Sequence, residues 1–337
     1  MVRGAIDASW VRSAARGLML SAACALTLGA QAAQSSLRAS RVSAANDAFD
    51  FWLAPWYRPD EEFTNGVKAT LEFAGPAWWH GLAPHDSADC RSNAGRCVTH
   101  EWSVGQQIFT AARRASDSGP LAGSRPNAGW LYLEERDRTA TRSRLDEWSV
   151  AFGVTGEPSL AQYVQRVAHG YAAAYNRPVD WSTQLPFEPG VVVRYDHTRR
   201  VGGGRDGAPV AFALEPRVGA ALGTIVTEAT AGLKARLSFA SDHPWLPSGS
   251  SSRLQVSLFA EAAGRGVARN EFLDGSLFRS SVHVTSRPFV AEYEAGFSAD
   301  WRRLGVGYRV HRTGPEYTTR TASHTWASLE ASWRIGR

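Results

Sequence analysis

The strongest constraint on this chain is a period of two that recurs from residue 64 to its end. Beginning at Thr64-Asn65-Gly66, the residues Val67, Ala69, Leu71 and Phe73 fall on one side, and Lys68, Thr70 and Glu72 on the other. Successive side chains of an extended strand point to opposite faces, so the pattern predicts strands with one apolar and one polar face. The alternation returns with Val210, Phe212, Leu214, Val218, Ala220 and Leu222 opposed to Glu215 and Arg217. It returns again with Ala229, Ala231, Leu233, Ala235, Leu237 and Phe239 opposed to Thr230, Lys234, Arg236 and Ser238. Leu254 to Ala262, Phe289 to Phe297, Leu304 to Val310 and Ala327 to Trp333 repeat it against Glu261, Glu292, Glu294, Arg303, Arg309 and Glu330. The charges stand mid-strand.

A soluble sandwich also alternates, so the pattern alone does not choose a solvent. Three features together select the membrane: strands of roughly 10 residues, a charged face opposite each apolar one, and export of the chain. Lipid outside and a polar interior satisfy both faces. Counting segments gives about twelve strands, an even number that returns the chain to its starting side. The expected fold is all-β, a twelve-stranded antiparallel transmembrane β-barrel with a short extracellular helix. The 13 tryptophans fit aromatic girdles at the two interfaces.

Export is read from the N-terminus. Arg3, Arg12 and Arg16 precede an apolar run, Gly17 to Ala30, which closes on Ala30-Gln31-Ala32. That is the layout of a secretory signal peptide, assigned to residues 1–32, with Cys24 inside it. The run is too short to span a bilayer as a helix, and no later stretch stays apolar for about 18 residues. Removing the signal takes away three arginines and Asp7, so a formal charge of +5 becomes +3. Lys68 and Lys234 are the only lysines; guanidinium, the dominant cation here, suits phosphate and carboxylate. Export argues against nucleic acid as a partner. Cys90 and Cys97, in SADCRSNAGRC, are predicted to form a disulfide in an oxidising compartment, since His100 alone does not complete a zinc site. Residues 33–45 are expected to be flexible, and 46–337 to form the barrel.

One stretch breaks the strand pattern. Gly156 to Gln184 reads as helical: Pro158 suits a first turn, and Leu160, Val164, Val167 and Tyr171 recur at helical spacing. Gln165 and His169 are four apart on another face, so their side chains lie one above the other and can address one substrate atom. With Asn46 at the outer end of the first strand, parity places the helix (Glu157 to Tyr175) on the extracellular side, near Asn46-Asp47 and Thr64. The same parity places Cys90 to Cys97 on the periplasmic side. The oxygens of Asn46, Asp47 and Thr64 suit a hard cation such as calcium. No Gly-x-Ser-x-Gly is present, so water activated by His169 is a simpler route to ester hydrolysis than a serine acyl-enzyme. A calcium ion would polarise the ester carbonyl. Taken singly, each residue has a plainer reading: Asn46-Asp47 and Asn65-Gly66 as turn formers, Gln165 and His169 as solvated or structural helix residues.

At Asn46-Asp47, Phe63-Thr64-Asn65-Gly66, Arg125 to Tyr132, Gln165 to His169 and Trp181-Ser182-Thr183-Gln184, the sequence resembles the lipid A 3'-O-deacylase family of outer-membrane barrels. Leu273-Asp274-Gly275 and the Thr313 to Tyr317 strand end extend the likeness over nearly the whole mature chain. The resemblance implies a calcium-dependent twelve-stranded barrel that removes the 3'-acyloxyacyl group of lipid A, with its site between the wall and an outer helix. It implies His169 as base, Gln165 as its neighbour, and Asn46, Asp47 and Thr64 around the metal and carbonyl. The chain departs from the family in several places. A family lysine has no counterpart, although Arg113 and Arg114 lie in that loop; a family glutamate is Tyr175, an aspartate is Ser124, and a tyrosine is Asn127. The expected partners are lipid A and the outer membrane. A broader phospholipid or lipid acyl hydrolase, and a barrel without catalysis, are the competing functions. The second is disfavoured by charges such as Arg236, Glu261, Glu294 and Arg309, which would fill a narrow interior.

Overall fold

The computed structural model of the protein describes residues 37–50, 62–77, 95–112, 120–171, 179–203, 208–239, 245–246 and 253–335, with the side chains of 168–171 outside the description. Twelve antiparallel strands close into a barrel. They are β1 (Leu37–Asn46), β2 (Glu62–Ala74), β3 (Arg96–Thr110), β4 (Ala128–Thr141), β5 (Arg144–Val154) and β6 (Pro189–Arg199, continued by Val201–Gly202). The others are β7 (Val210–Gly223), β8 (Val226–Phe239), β9 (Gln255–Asn270), β10 (Phe289–Trp301), β11 (Leu304–Thr313) and β12 (His324–Arg334). Each strand pairs with its neighbours in sequence, and β1 closes the ring on β12 with Val42 opposite Ala331. Closure leaves no edge whose backbone groups would face lipid unsatisfied.

The ring corrects one boundary. Residues 37–45, expected to be flexible, belong to β1, which pairs with both β2 and β12. The sequence LRASRVSAAN alternates weakly because its side chains are small. Its strand state comes from the two partners that flank it. The proposed signal, residues 1–32, and Cys90 lie outside the described residues. Cys97 is disulfide-bonded and starts β3, at the opposite end of the barrel from Thr110.

The two faces separate as the alternation requires. Val42, Phe152, Val193, Phe212, Leu222, Leu233, Phe297, Val306 and Leu329 are exposed on the outer wall. Opposite charges meet across strands that are not neighbours: Lys68 on β2 with Glu134 on β4 at 2.8 Å, and Arg217 on β7 with Glu261 on β9 at 2.9 Å. Such pairs form only through the lumen. Arg236 adds a bidentate pair to buried Glu215, both contacts at 3.0 Å. At one end, Phe109 stacks on Phe272 from across the barrel at 4.5 Å, with the Arg125 guanidinium over Phe109 at 4.5 Å. Paired charges thus line the interior along its length, as a polar barrel lumen requires.

Candidate functional site

The tips of β1, β2 and β3 carry the first part of the site. Asn46 ends β1 on the face of exposed Val42, so it points to the outer wall. Its side-chain amide donates to the Thr64 carbonyl at 2.8 Å, and its oxygen accepts from the Ala48 amide at 2.7 Å. The β2–β3 register slips between Phe63 and Asn65, so Thr64 sits at a bulge. A bulge re-aims a side chain locally; here the Thr64 hydroxyl meets that of Thr110 on β3 at 2.6 Å. Asp47 opens a short 3-10 turn, Asp47–Asp50, with its carboxylate buried. That turn lies on the outer wall too, since Tyr308 of β11, on the face of exposed Val306, donates to the Phe49 carbonyl at 2.9 Å.

The helix forms the second part. A 3-10 turn, Glu157–Ser159, leads into α1 (Ala161–Tyr171), which packs on the ends of β3 and β4. Gln106 and Ile108 share the face of exposed Val104 on β3; Gln106 donates to the Ser159 carbonyl at 2.6 Å, and Ile108 packs with Ala161 and Trp181. The helix therefore rests on the outside of the barrel. Gly129, opposite Ile108 on β4, lies so close to Ser159 and Ala161 that a Cβ would collide with both. Gly156 permits the approach turn with a φ of 71° and with Phe187 against it.

Two sequence expectations about the helix change. Leu160 and Val167, read as part of one apolar stripe, are exposed, whereas Ala161 and Gln165 are buried. The reason is that Gly129 in the wall beneath leaves room for the Ala161 face to approach closely. Gln165 is no solvated residue: its carbonyl oxygen accepts from the Trp181 indole N–H at 2.8 Å. His169 stands one turn further along the same helix face. Tyr175, Arg113 and Arg114 lie outside the described residues.

The same barrel end is knit by buried charge. Glu62, with a φ of 65°, accepts from Tyr317 at 2.7 Å, Arg320 at 2.9 Å and Arg125 at 3.2 Å. Arg125 also meets Glu316 at 3.4 Å. Burial opposes ionisation of Glu316, but Arg125 and Arg265 outweigh it and hold its carboxyl below the usual range. After β9 a short helix, α2 (Glu271–Asp274), buries a second carboxyl. Burial first, and then the charge of Glu188, push Glu271 up to about 7.

As donors, Asn46, Asp47 and Thr64 offer amide, carboxylate and hydroxyl oxygen, the chemistry a calcium ion accepts, with Asp47 supplying the negative charge. Among the described residues no group of three or more His, Cys, Asp or Glu side chains could hold a metal. A cation here would depend on the Asp47 carboxylate and the two neutral oxygens.

The sequence profile of the family described as "Outer membrane protein LpxR" matches residues 18–335. The chain belongs to the LpxR family. Among solved structures, LpxR from Salmonella typhimurium superposes with a TM-score of 0.70 at 16% identity, covering 88% of this chain and 100% of that one. At that identity the likeness is one of fold. The translocator domain of the autotransporter NalP from Neisseria meningitidis gives 0.42 at 10% identity, over 96% and 98% of the chains. No curated protein matches in sequence. The protein is thus an outer-membrane barrel of the LpxR family.

Within this LpxR-family chain, sequence reasoning gave no role to Thr110 or Gln106 and quoted Gly129 and Trp181 only within family motifs, whereas the fold packs all four against the candidate residues or their helix. Gly129 carried a signal, a glycine inside a strand, which often marks close backbone approach. Asn127, one of the departures from the LpxR pattern, is buried and accepts from the Ala111 amide at 2.9 Å while donating to the Asp180 carbonyl at 2.7 Å. It ties the β3–β4 connection to the segment that carries Trp181.

Proposed function

We propose that this LpxR-family protein is a lipid A 3'-O-deacylase, hydrolysing the ester that holds the 3'-acyloxyacyl group, with the helix end of the barrel outside the cell. One observation carries the reading: Asn46, Thr64 and Thr110 and the seat of α1 lie on the outer wall at one rim, not in the lumen. A molecule reaching them arrives from the leaflet. Lipid is therefore the substrate class.

In this mechanism His169 takes a proton from water, whose oxygen forms a bond to the ester carbonyl carbon. Collapse of the tetrahedral intermediate breaks the bond to the sugar oxygen, which leaves with a proton returned by His169. The free acyloxyacyl acid and a sugar hydroxyl are the products. Gln165, anchored on Trp181, fixes the helix turn below the base. Asn46 and Thr110 hold Thr64 by its carbonyl and hydroxyl, so that the tip of β2 keeps one shape as the ester binds. Calcium bound by Asn46, Asp47 and Thr64 would polarise the carbonyl. Mass spectrometry of lipid A incubated with the purified protein, with calcium or a chelator, tests the proposal. Loss of the acyloxyacyl mass by wild type and its retention by His169→Ala is the expected result. Unchanged lipid A with a folded, calcium-supplied enzyme would overturn it, and fatty acid release from phospholipid alone would assign the broader hydrolase.

A further inference from the structure

The barrel end opposite the helix carries charge that the proposed reaction does not use. Its tight turns expose Arg142, Arg199, Arg253, Arg302 and Arg303. The β10–β11 hairpin concentrates the feature. Trp301 lies opposite Leu304, and Leu304 opposite Trp333, so these three side chains form one row on the outer wall, all exposed. The row continues the lipid-facing series of Phe297, Val306 and Leu329. Arg302 and Arg303 form the turn just beyond it, and the Arg302 guanidinium lies over the Trp301 ring at 4.8 Å. Asp300, two residues before Arg302, is already paired with Arg334 at 2.8 Å. Among the described residues, no ion pair engages Arg302 or Arg303.

We propose that this corner is a binding site for the phosphate headgroup of an anionic phospholipid. Interfacial tryptophans mark the depth at which acyl chains give way to headgroups. A guanidinium stacked on such a ring is held there with its N–H groups directed to phosphate oxygens. The occupant follows from this continuity: acyl chains on Trp301, Leu304 and Trp333, and the phosphodiester on Arg302 and Arg303. Arg302 also holds a left-handed backbone, φ 55°, where glycine or asparagine would turn the chain with less strain. Turn chemistry alone therefore does not call for arginine at this position. The site is independent of the deacylase reading, because it lies at the far end of the barrel from Asn46 and α1.

The test is native mass spectrometry of the full-length barrel in detergent, titrated separately with phosphatidylglycerol and phosphatidylcholine. Wild type should take phosphatidylglycerol with a severalfold preference, each arginine near an anionic headgroup being worth about fivefold. Arg302→Gln with Arg303→Gln should abolish the preference, while Arg142→Gln at another turn of the same end should keep it. Heat-modifiable gel migration checks folding, and Arg303→Gln alone replaces the double variant if that fails to fold. Equal binding of the two lipids by wild type, or an undiminished preference in the variant, would overturn the proposal. Displacement by soluble glycerol phosphate at equal concentration would overturn it too, since that ligand needs no membrane.

Discussion

Replacing Glu271 by glutamine should free the helix end of the barrel from a pH dependence that wild type must show. Glu271 has no solvent exposure, and among the described residues its carboxyl takes one hydrogen bond, from the Thr155 hydroxyl at 3.2 Å. Glu188 beside it accepts from the Leu277 amide at 3.1 Å and from the Ser276 hydroxyl. Together they clasp the segment after β9 to the strands β5 and β6. The Glu271 carboxyl titrates near 4.5 when unfolded and at about 7 in the fold. The folded state thus holds the proton more tightly, so its contribution is fully present below pH 4.5 and is lost as pH rises through 7. Across that interval the change amounts to about 3 kcal/mol, or roughly a hundredfold in a local opening equilibrium. Hydrogen exchange at the Thr155 and Gly275 amides, corrected for intrinsic rates, reads it directly. These amides donate to Glu188 and Glu271 carbonyls at 2.9 and 3.0 Å. Wild-type protection should fall over this range while Glu271→Gln stays flat. Glu188→Gln should shrink the slope without removing it, because burial is the larger cause. Parallel profiles for wild type and Glu271→Gln would refute the reasoning.

Four further outcomes follow. His169→Ala and His169→Asn should lower lipid A deacylation by roughly 10² to 10⁴ in folded barrels, measured by release of the 3' group; Arg166→Ala, on an exposed face, should change little. Gly129→Ala should push α1 off the wall at a cost of about 1–3 kcal/mol, seen as protease cleavage in the helix with the barrel still heat-modifiable. Thr64→Val removes the hydroxyl contact to Thr110 and should destabilise the β2–β3 tip by about 1 kcal/mol, with a matching fall in the calcium response. Cys97→Ser should leave activity unchanged, since Cys97 is at the far end of the barrel; a large loss would contradict the placement.

The sequence by itself determined the barrel. Its period of two puts Phe212, Leu233 and Val306 against lipid and Glu215, Lys234 and Arg236 inside, because pleating alternates side chains whatever the partner strand. It also located Asn46, Thr64, the helix and Cys97 at their respective ends, since parity needs only a count of strands. Closure decided the rest. The small, weakly alternating residues of Leu37–Asn46 become a strand only because β2 and β12 need one between them. The bulge at Thr64, the hydroxyl pair with Thr110 and the seat of α1 over Gly129 depend on registers between strands, which no single segment encodes. For the same reason Gln165, read with His169 as one helix face or, more plainly, as solvated, is turned by the wall inward onto Trp181. Local periodicity fixes which way a side chain faces. What it meets there is set by contacts distant in sequence, formed when the ring closes.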